Sequence, residues 1–142
     1  MDKKQFKQAT KMIFNSFSFK VYKKYIYKDY GLYLLKIKSY KSNYSNEYYF
    51  DSYVVFKDEN LDLKENLLLD DMILGSRLHS DDNSIYSFDY EKLDEETYTK
   101  QLSQIVFVLD NLVMSSPKEY LKKIKENYFN ENGKRRYRNL VG

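Results

Sequence analysis

Residues 19–57 contain three runs of aromatic and β-branched residues separated by two polar turns, and this pattern constrains the fold most strongly. Aromatic and β-branched side chains favour strands, and short polar turns join strands that are neighbours in a sheet. The first turn contains Asp29 and Gly31, and the second is rich in serine and asparagine. The stretch therefore predicts an antiparallel meander, with residues 48–57 as its central strand.

Helical patterns flank the meander on both sides. Residues 2–17 repeat apolar side chains at helical spacing with lysines between them, which predicts an amphipathic helix. A second apolar repeat follows Asp94 and predicts a buried helix. Ser116 before Pro117 is typical of a helix start, so we expect another helix from there to Tyr128.

The region between the meander and the C-terminal helices is less regular. Residues 61–74 are acidic and rich in leucine, and they fit either a short helix or an extended loop. Residues 75–79 fit a further strand, and residues 85–90 fit a short extended piece after a polar loop. The strand following the first helix is expected to cover residues 20–27.

The length of 142 residues suits one domain with its own core. We predict a single α+β domain over residues 1–142, with an antiparallel sheet of three to five strands. The N-terminal helix and the two C-terminal helices are expected to pack on one face of this sheet. Residues 131–142 are predicted to form a flexible basic tail.

Several short segments carry a resemblance to a known family over most of residues 5–125. They are Phe19-Lys20, Tyr27, Gly31, Lys36-Ile37-Lys38-Ser39, Lys41-Ser42, Tyr48-Tyr49-Phe50-Asp51 and Arg77-Leu78. With the order of helices and strands, they resemble the bacterial family called domain of unknown function 4304. The resemblance implies an α+β fold. Small proteins of similar build occur in toxin and immunity gene clusters, which implies a non-enzymatic inhibitor that neutralises a bacterial toxin or enzyme by binding it.

Tyrosine and charge suggest where such a partner would bind. The chain has 16 tyrosines, and a tyrosine on an uncovered sheet face suits an interface because its ring is apolar and its hydroxyl polar. The net charge is +9 over residues 1–44, −11 over residues 45–119 and +5 over residues 120–142. These blocks either form charged surfaces that steer a partner or neutralise each other after folding. The predicted partner-binding residues are Tyr25, Tyr27, Tyr33, Tyr49, Tyr53, Asp58, Glu59, Asp62, Asp70, Asp71, Asp81 and Asp82.

Nucleic-acid binding through the basic termini is the alternative hypothesis. Basic side chains contact phosphates, and aromatic rings stack on bases. The N-terminal lysines and the meander tyrosines would extend such a surface. Its candidate residues in the tail are Lys134, Arg135, Arg136, Tyr137 and Arg138.

A metal-dependent, nuclease-like hydrolase is the third hypothesis. Asp51 followed by Asp62-Leu63-Lys64 matches an arrangement in which acids hold a metal and a lysine polarises water. Such short matches arise often by chance, so we predict no catalytic residues and no enzymatic activity.

The single histidine, His79, offers a second metal-site hypothesis with the neighbouring aspartates. Its spacing from the acidic pairs at 70–71 and 81–82 matches no metal-ligand motif. The chain also has no cysteine, which excludes disulfides and thiolate chemistry. We therefore predict no metal and no cofactor.

The first residues do not suggest export. They alternate charged with apolar side chains, unlike a signal peptide, and no apolar run approaches the length of a membrane span. We expect a cytoplasmic protein that does not bind membranes.

Overall fold

Antiparallel strands joined in chain order form the central sheet. The computed structural model describes residues 1–68 and 72–124, without the side chains of residues 72–75. The strands are β1 (Lys20–Tyr22), β2 (Tyr25–Asp29), β3 (Leu34–Lys41), β4 (Glu47–Val55), β5 (Met72–Arg77) and β6 (Phe88–Asp89). Their order is β1-β2-β3-β4-β5, and β6 pairs with the start of β4. The predicted α+β fold and its antiparallel meander are confirmed, and the strand predicted at residues 48–57 is the central strand β4. With β6 the sheet has one strand more than the three to five predicted.

The helices within the described residues are α1 (Lys3–Ser16), α2 (Leu63–Leu68), α3 (Glu95–Ser115) and α4 (Pro117–Lys123). Asp2 and Gln5 form a capping box at the start of α1, and the Asp94 carboxylate accepts from the Thr97 amide to cap α3. α4 begins at Pro117 as predicted but ends before Tyr128, because Ile124 has an extended backbone. None of the described helices is long and apolar enough to cross a membrane.

The predicted strand of residues 20–27 is two strands instead of one. Tyr22 pairs with Tyr25, which makes Lys23-Lys24 a two-residue turn between β1 and β2. Lys23 has a φ of 53°, in the left-handed region that few residues other than glycine adopt. Lysines are not typical turn residues, so the local pattern indicated a continuous strand. Both lysines are exposed at the tip of the hairpin.

The main core lies between one sheet face and the layer formed by α1, α3 and α4. It is strongly aromatic: the ring centroids of Phe6 and Tyr98 are 4.9 Å apart, and those of Phe14 and Phe50 are 6.0 Å apart. The predicted packing of these three helices on one face is confirmed. α2 instead packs on the opposite face of the sheet. Residues 61–74, for which the sequence allowed a helix or a loop, contain the helix α2 and the first residues of the strand β5.

Candidate partner-binding face

Strand register brings aromatic and charged side chains into adjacent rows on the sheet face away from α1, α3 and α4. Lys38 of β3 pairs with Asp51 of β4, and Asp51 pairs with Arg77 of β5. Tyr40 pairs with Tyr49 in the next row. Side chains alternate across a strand, so these residues point away from the core. We call the following set the open face: Tyr25, Lys38, Tyr40, Tyr49, Asp51, Tyr53 and Arg77.

The tyrosines of the open face hold one another in place. The rings of Tyr40 and Tyr49 stack with centroids 5.5 Å apart and planes inclined by 21°. The Tyr40 and Tyr53 hydroxyls are 2.8 Å apart and share a hydrogen bond. Burial, followed by this hydrogen bond, raises the pKa of Tyr53 above its ordinary value. The Tyr53 hydroxyl therefore keeps its proton at physiological pH, and the stack and the hydrogen bond fix the orientation of the rings.

Two cations lie against these rings. The Arg77 guanidinium carbon is 3.8 Å from the centroid of the Tyr49 ring, within the range of a cation–π contact. Lys38 Nζ is 5.6 Å from the Tyr25 ring and 5.5 Å from the Tyr53 ring. Arg77 also forms an ion pair with Asp51, with 3.2 Å between Nε and Oδ1. Lys38 forms no ion pair with a described residue, so the open face carries a net positive charge.

α2 covers the other end of the same sheet face. Leu67 packs against Tyr27, Leu34 and Val55, and the Lys36 ammonium donates to the Leu67 carbonyl at 2.9 Å. Among the residues that the structure describes, α2 is the helix that packs on this side of the sheet. Its apolar contacts include no residue of the open face.

Asn66 attaches α2 to the loop that follows β4. Its buried side chain accepts a hydrogen bond from the Asp58 amide at 2.7 Å and donates to the Asp62 carbonyl at 2.9 Å. Further bonds reach the carbonyls of Asp58 and Leu61. These bonds fix the position of α2 beside the open face.

Of the tyrosines predicted to bind a partner, three lie half-buried on the open face: Tyr25, Tyr49 and Tyr53. The prediction is wrong for Tyr33, which is 0% exposed in the core, with its hydroxyl donating to the Pro117 carbonyl. It is also wrong for Tyr27, which is 9% exposed beneath Leu67. Tyr33 shares the core face with Leu35 and Ile37, and only the register distinguishes it from the outward tyrosines.

Sequence reasoning missed Lys38, Tyr40 and Arg77 as partner-binding candidates. The signal for the first two was present, because residues 36, 38 and 40 alternate with the core residue Ile37 along β3. Arg77 had no such signal, since its place beside Tyr49 depends on the pairing of β5 with β4.

The acidic candidates do not form one surface. Asp58 and Glu59 follow the C-terminal end of β4. Asp81 and Asp82 follow β5, which runs antiparallel to β4 and carries them toward the opposite end. Asp62 precedes α2, where its carboxylate accepts from the Glu65 amide.

Several of these carboxylates serve local structure. The Asp82 carboxylate accepts hydrogen bonds from the hydroxyls of Ser80 and Ser84, and these bonds lower its pKa to about 2. Asp58 accepts from the Asn60 amide in the same local manner. Asp70 and Asp71 lie outside the described residues. Partner binding by the acidic set stays a prediction.

The residues of the hydrolase hypothesis do not converge. Asp51 is paired with Arg77, whereas Lys64 Nζ lies 5.6 Å from the ring of Tyr22 on β1. β2 and β3 separate β1 from β4, which corresponds to about 14 Å at the usual strand spacing. The pairing of Asp51 with Arg77 and this separation argue against a shared site for Asp51 and Lys64.

The other hypotheses from the sequence have different outcomes. Among the described residues, no three acidic or histidine side chains are grouped to hold a metal ion. His79 Nδ1 is instead 2.7 Å from the Ser80 carbonyl. The basic tail residues 134–138 lie outside the described residues, so nucleic-acid binding through them stays a prediction.

Comparison of the chain with family models, curated proteins and solved structures finds no match. The resemblance to the domain of unknown function 4304 family therefore stays a prediction, and the open face is interpreted from its own geometry.

Proposed function

We propose that this protein is a non-enzymatic, cytoplasmic binding protein whose open face docks a bacterial toxin or enzyme and inhibits it by occlusion. The observation that carries the proposal is the cluster of half-buried tyrosine rings around Lys38 and Arg77. Tyrosine and arginine are enriched in the centres of protein interfaces and dominate their binding energy.

Preorganisation of the open face supports a protein partner. The Tyr40–Tyr49 stack and the Tyr40–Tyr53 hydrogen bond hold the rings before binding. Ordering side chains during association costs free energy, so rings that are already fixed lose less of it. The rings lie on paired strands of the sheet, and interfaces of this kind usually form with little backbone rearrangement.

Charge defines the chemistry expected of the partner. Lys38 forms no ion pair with a described residue, and the carboxylate of its cross-strand neighbour Asp51 is paired with Arg77. A complementary surface would place apolar groups on the rings and a carboxylate within reach of Lys38. This chemistry rests on Lys38 and Arg77 and not on the acidic residues predicted to bind a partner, because those candidates lie at separate ends of β4.

The test measures binding of purified products of the adjacent genes by calorimetry. Tyr49→Ala and Lys38→Glu are expected to raise the dissociation constant at least about tenfold, as interface centres do. Tyr86→Ala and Lys118→Glu are matched controls, since both side chains are exposed outside the open face, and they should leave binding unchanged. Circular dichroism checks that all variants fold.

Two outcomes would overturn the proposal. One is a partner whose affinity is the same for the open-face variants and the controls. The other is the absence of any protein partner together with salt-dependent binding of an oligonucleotide, which would favour the nucleic-acid alternative.

A further inference from the structure

A cleft of about 230 Å³ opens between α1 and the outer strands, on the helix side of the sheet. Its floor is apolar and includes the buried side chains of Phe6, Ile37 and Phe50. The cleft lies on the opposite side of the sheet from the open face, so its use does not depend on the proposed function.

Four lysines surround this apolar floor. Lys7 and Lys11 are one helical turn apart on α1, and Lys23 and Lys24 form the turn between β1 and β2. All four are exposed, and none forms an ion pair with a described residue. The ammonium nitrogens of Lys23 and Lys24 lie 5.6 Å and 5.5 Å from the ring centroids of Tyr22 and Tyr25, so these two side chains would have to turn toward the cleft to reach a ligand. The cleft lining contains no acidic side chain among the described residues. The rim is therefore a concentration of positive charge without a neutralising group.

Other lining residues show which parts of a ligand the cleft would accommodate. Val21 keeps 46% of its surface exposed at the edge, where an apolar ligand chain would cover it. Ser39 contributes an exposed hydroxyl on the sheet. The Thr10 hydroxyl already bonds to the Phe6 carbonyl and the Tyr98 hydroxyl, so it does not require a ligand.

We propose that this cleft binds an amphiphilic anion, a short aliphatic chain that ends in a carboxylate. The chain would lie on the apolar floor, and the carboxylate would accept charge-assisted hydrogen bonds from the lysine ammonium groups. An inorganic anion would leave the floor in contact with water, and a neutral apolar molecule would leave the lysine charges without a counter-ion. The amphiphilic anion satisfies both parts of the cleft.

The test titrates the full chain with octanoate, octanol and octyltrimethylammonium, by calorimetry and by NMR of the isoleucine methyl groups. The two ions are kept below their micelle concentrations, and octanol is kept below its solubility limit. Octanoate should bind and change the chemical shifts of the Ile26 and Ile37 methyl groups. Octanol should bind at least about fivefold more weakly than octanoate, and octyltrimethylammonium should not bind.

Charge and shape variants localise the binding. Lys7→Gln/Lys11→Gln and Lys23→Gln/Lys24→Gln should each weaken octanoate binding about fivefold or more. The control variant Lys3→Gln/Lys4→Gln removes two exposed charges from α1 outside the cleft, and it should not weaken octanoate binding. Ser39→Phe should fill the floor and abolish binding without disturbing the core. Absence of octanoate binding at millimolar concentration, equal affinity for octanol, or indifference to the cleft lysines would overturn the proposal.

Discussion

Lys28 Nζ lies 2.7 Å from Asp110 Oδ1, and this ion pair joins β2 to α3 within the helix layer. The two side chains are only 14% and 11% exposed. The same ammonium donates to the Phe17 carbonyl at 2.8 Å, and the Tyr30 hydroxyl donates to the same carboxylate oxygen at 2.7 Å. One polar cluster thus connects the end of α1, the β2–β3 hairpin and the middle of α3.

Removal of one partner from this cluster should destabilise the protein strongly. Asp110→Ala leaves the Lys28 ammonium largely buried without a carboxylate, and we expect a loss of about 3 kcal/mol in the free energy of unfolding. Urea denaturation measures it. Lys28→Met/Asp110→Leu should lose less, because no unpaired charge remains. Glu96→Gln, which breaks an exposed ion pair on α3, should have little effect. An Asp110→Ala protein as stable as the wild type would contradict this account.

Stability should fall steeply in alkali. Burial, together with the hydrogen bond to Asp110, raises the pKa of the Tyr30 hydroxyl above its ordinary value of about 10. The folded state therefore holds this proton more tightly than the unfolded state. The resulting stability is complete below about pH 10 and is lost as the pH rises above it.

The corresponding measurement is the free energy of unfolding between pH 8 and pH 11.5. Tyr30→Phe should show a shallower decline than the wild type above pH 10, because the variant cannot lose this proton. Tyr44→Phe is the control, since Tyr44 is 98% exposed. Parallel curves for the wild type and Tyr30→Phe would show that this hydroxyl does not govern the alkaline transition.

The buried contact between Thr10 and Tyr98 predicts an asymmetry between two variants. Thr10 Oγ1 donates to the Phe6 carbonyl at 2.7 Å and lies 2.6 Å from the Tyr98 hydroxyl. Because threonine has one hydroxyl proton, Tyr98 is the donor in the second bond. Thr10→Val leaves the Tyr98 hydroxyl buried without an acceptor, at a cost of about 2 kcal/mol. Tyr98→Phe leaves Thr10 bonded to Phe6, so we expect about 1 kcal/mol or less.

Thermal or urea denaturation of both single variants and the double variant decides this prediction. The double variant should be more stable than Thr10→Val alone, because the unpaired hydroxyl is gone. A larger loss for Tyr98→Phe than for Thr10→Val would contradict the assigned direction of the hydrogen bond.

Elements with a strong local signal were predictable from the sequence. Ser116 caps α4 where its position before Pro117 indicated, because a capping hydrogen bond spans only three residues. The turn at Lys23-Lys24 was not predictable, since lysine has no intrinsic preference for the left-handed conformation that Lys23 adopts. Tyrosine content suggested an interface but not which rings face outward.

The sequence by itself determined α1, α3, the start of α4 and the antiparallel meander, because these follow from periodicity, capping and turn residues. Only the tertiary structure decided that Tyr33 is buried while Tyr49 lies beneath Arg77, and that Lys7 and Lys23 line the same cleft. The physical reason is that a one-residue change of register exchanges the two faces of a strand. Contacts between distant segments likewise depend on which strands pair, and no local pattern of residues specifies that β5 and β6 pair with β4.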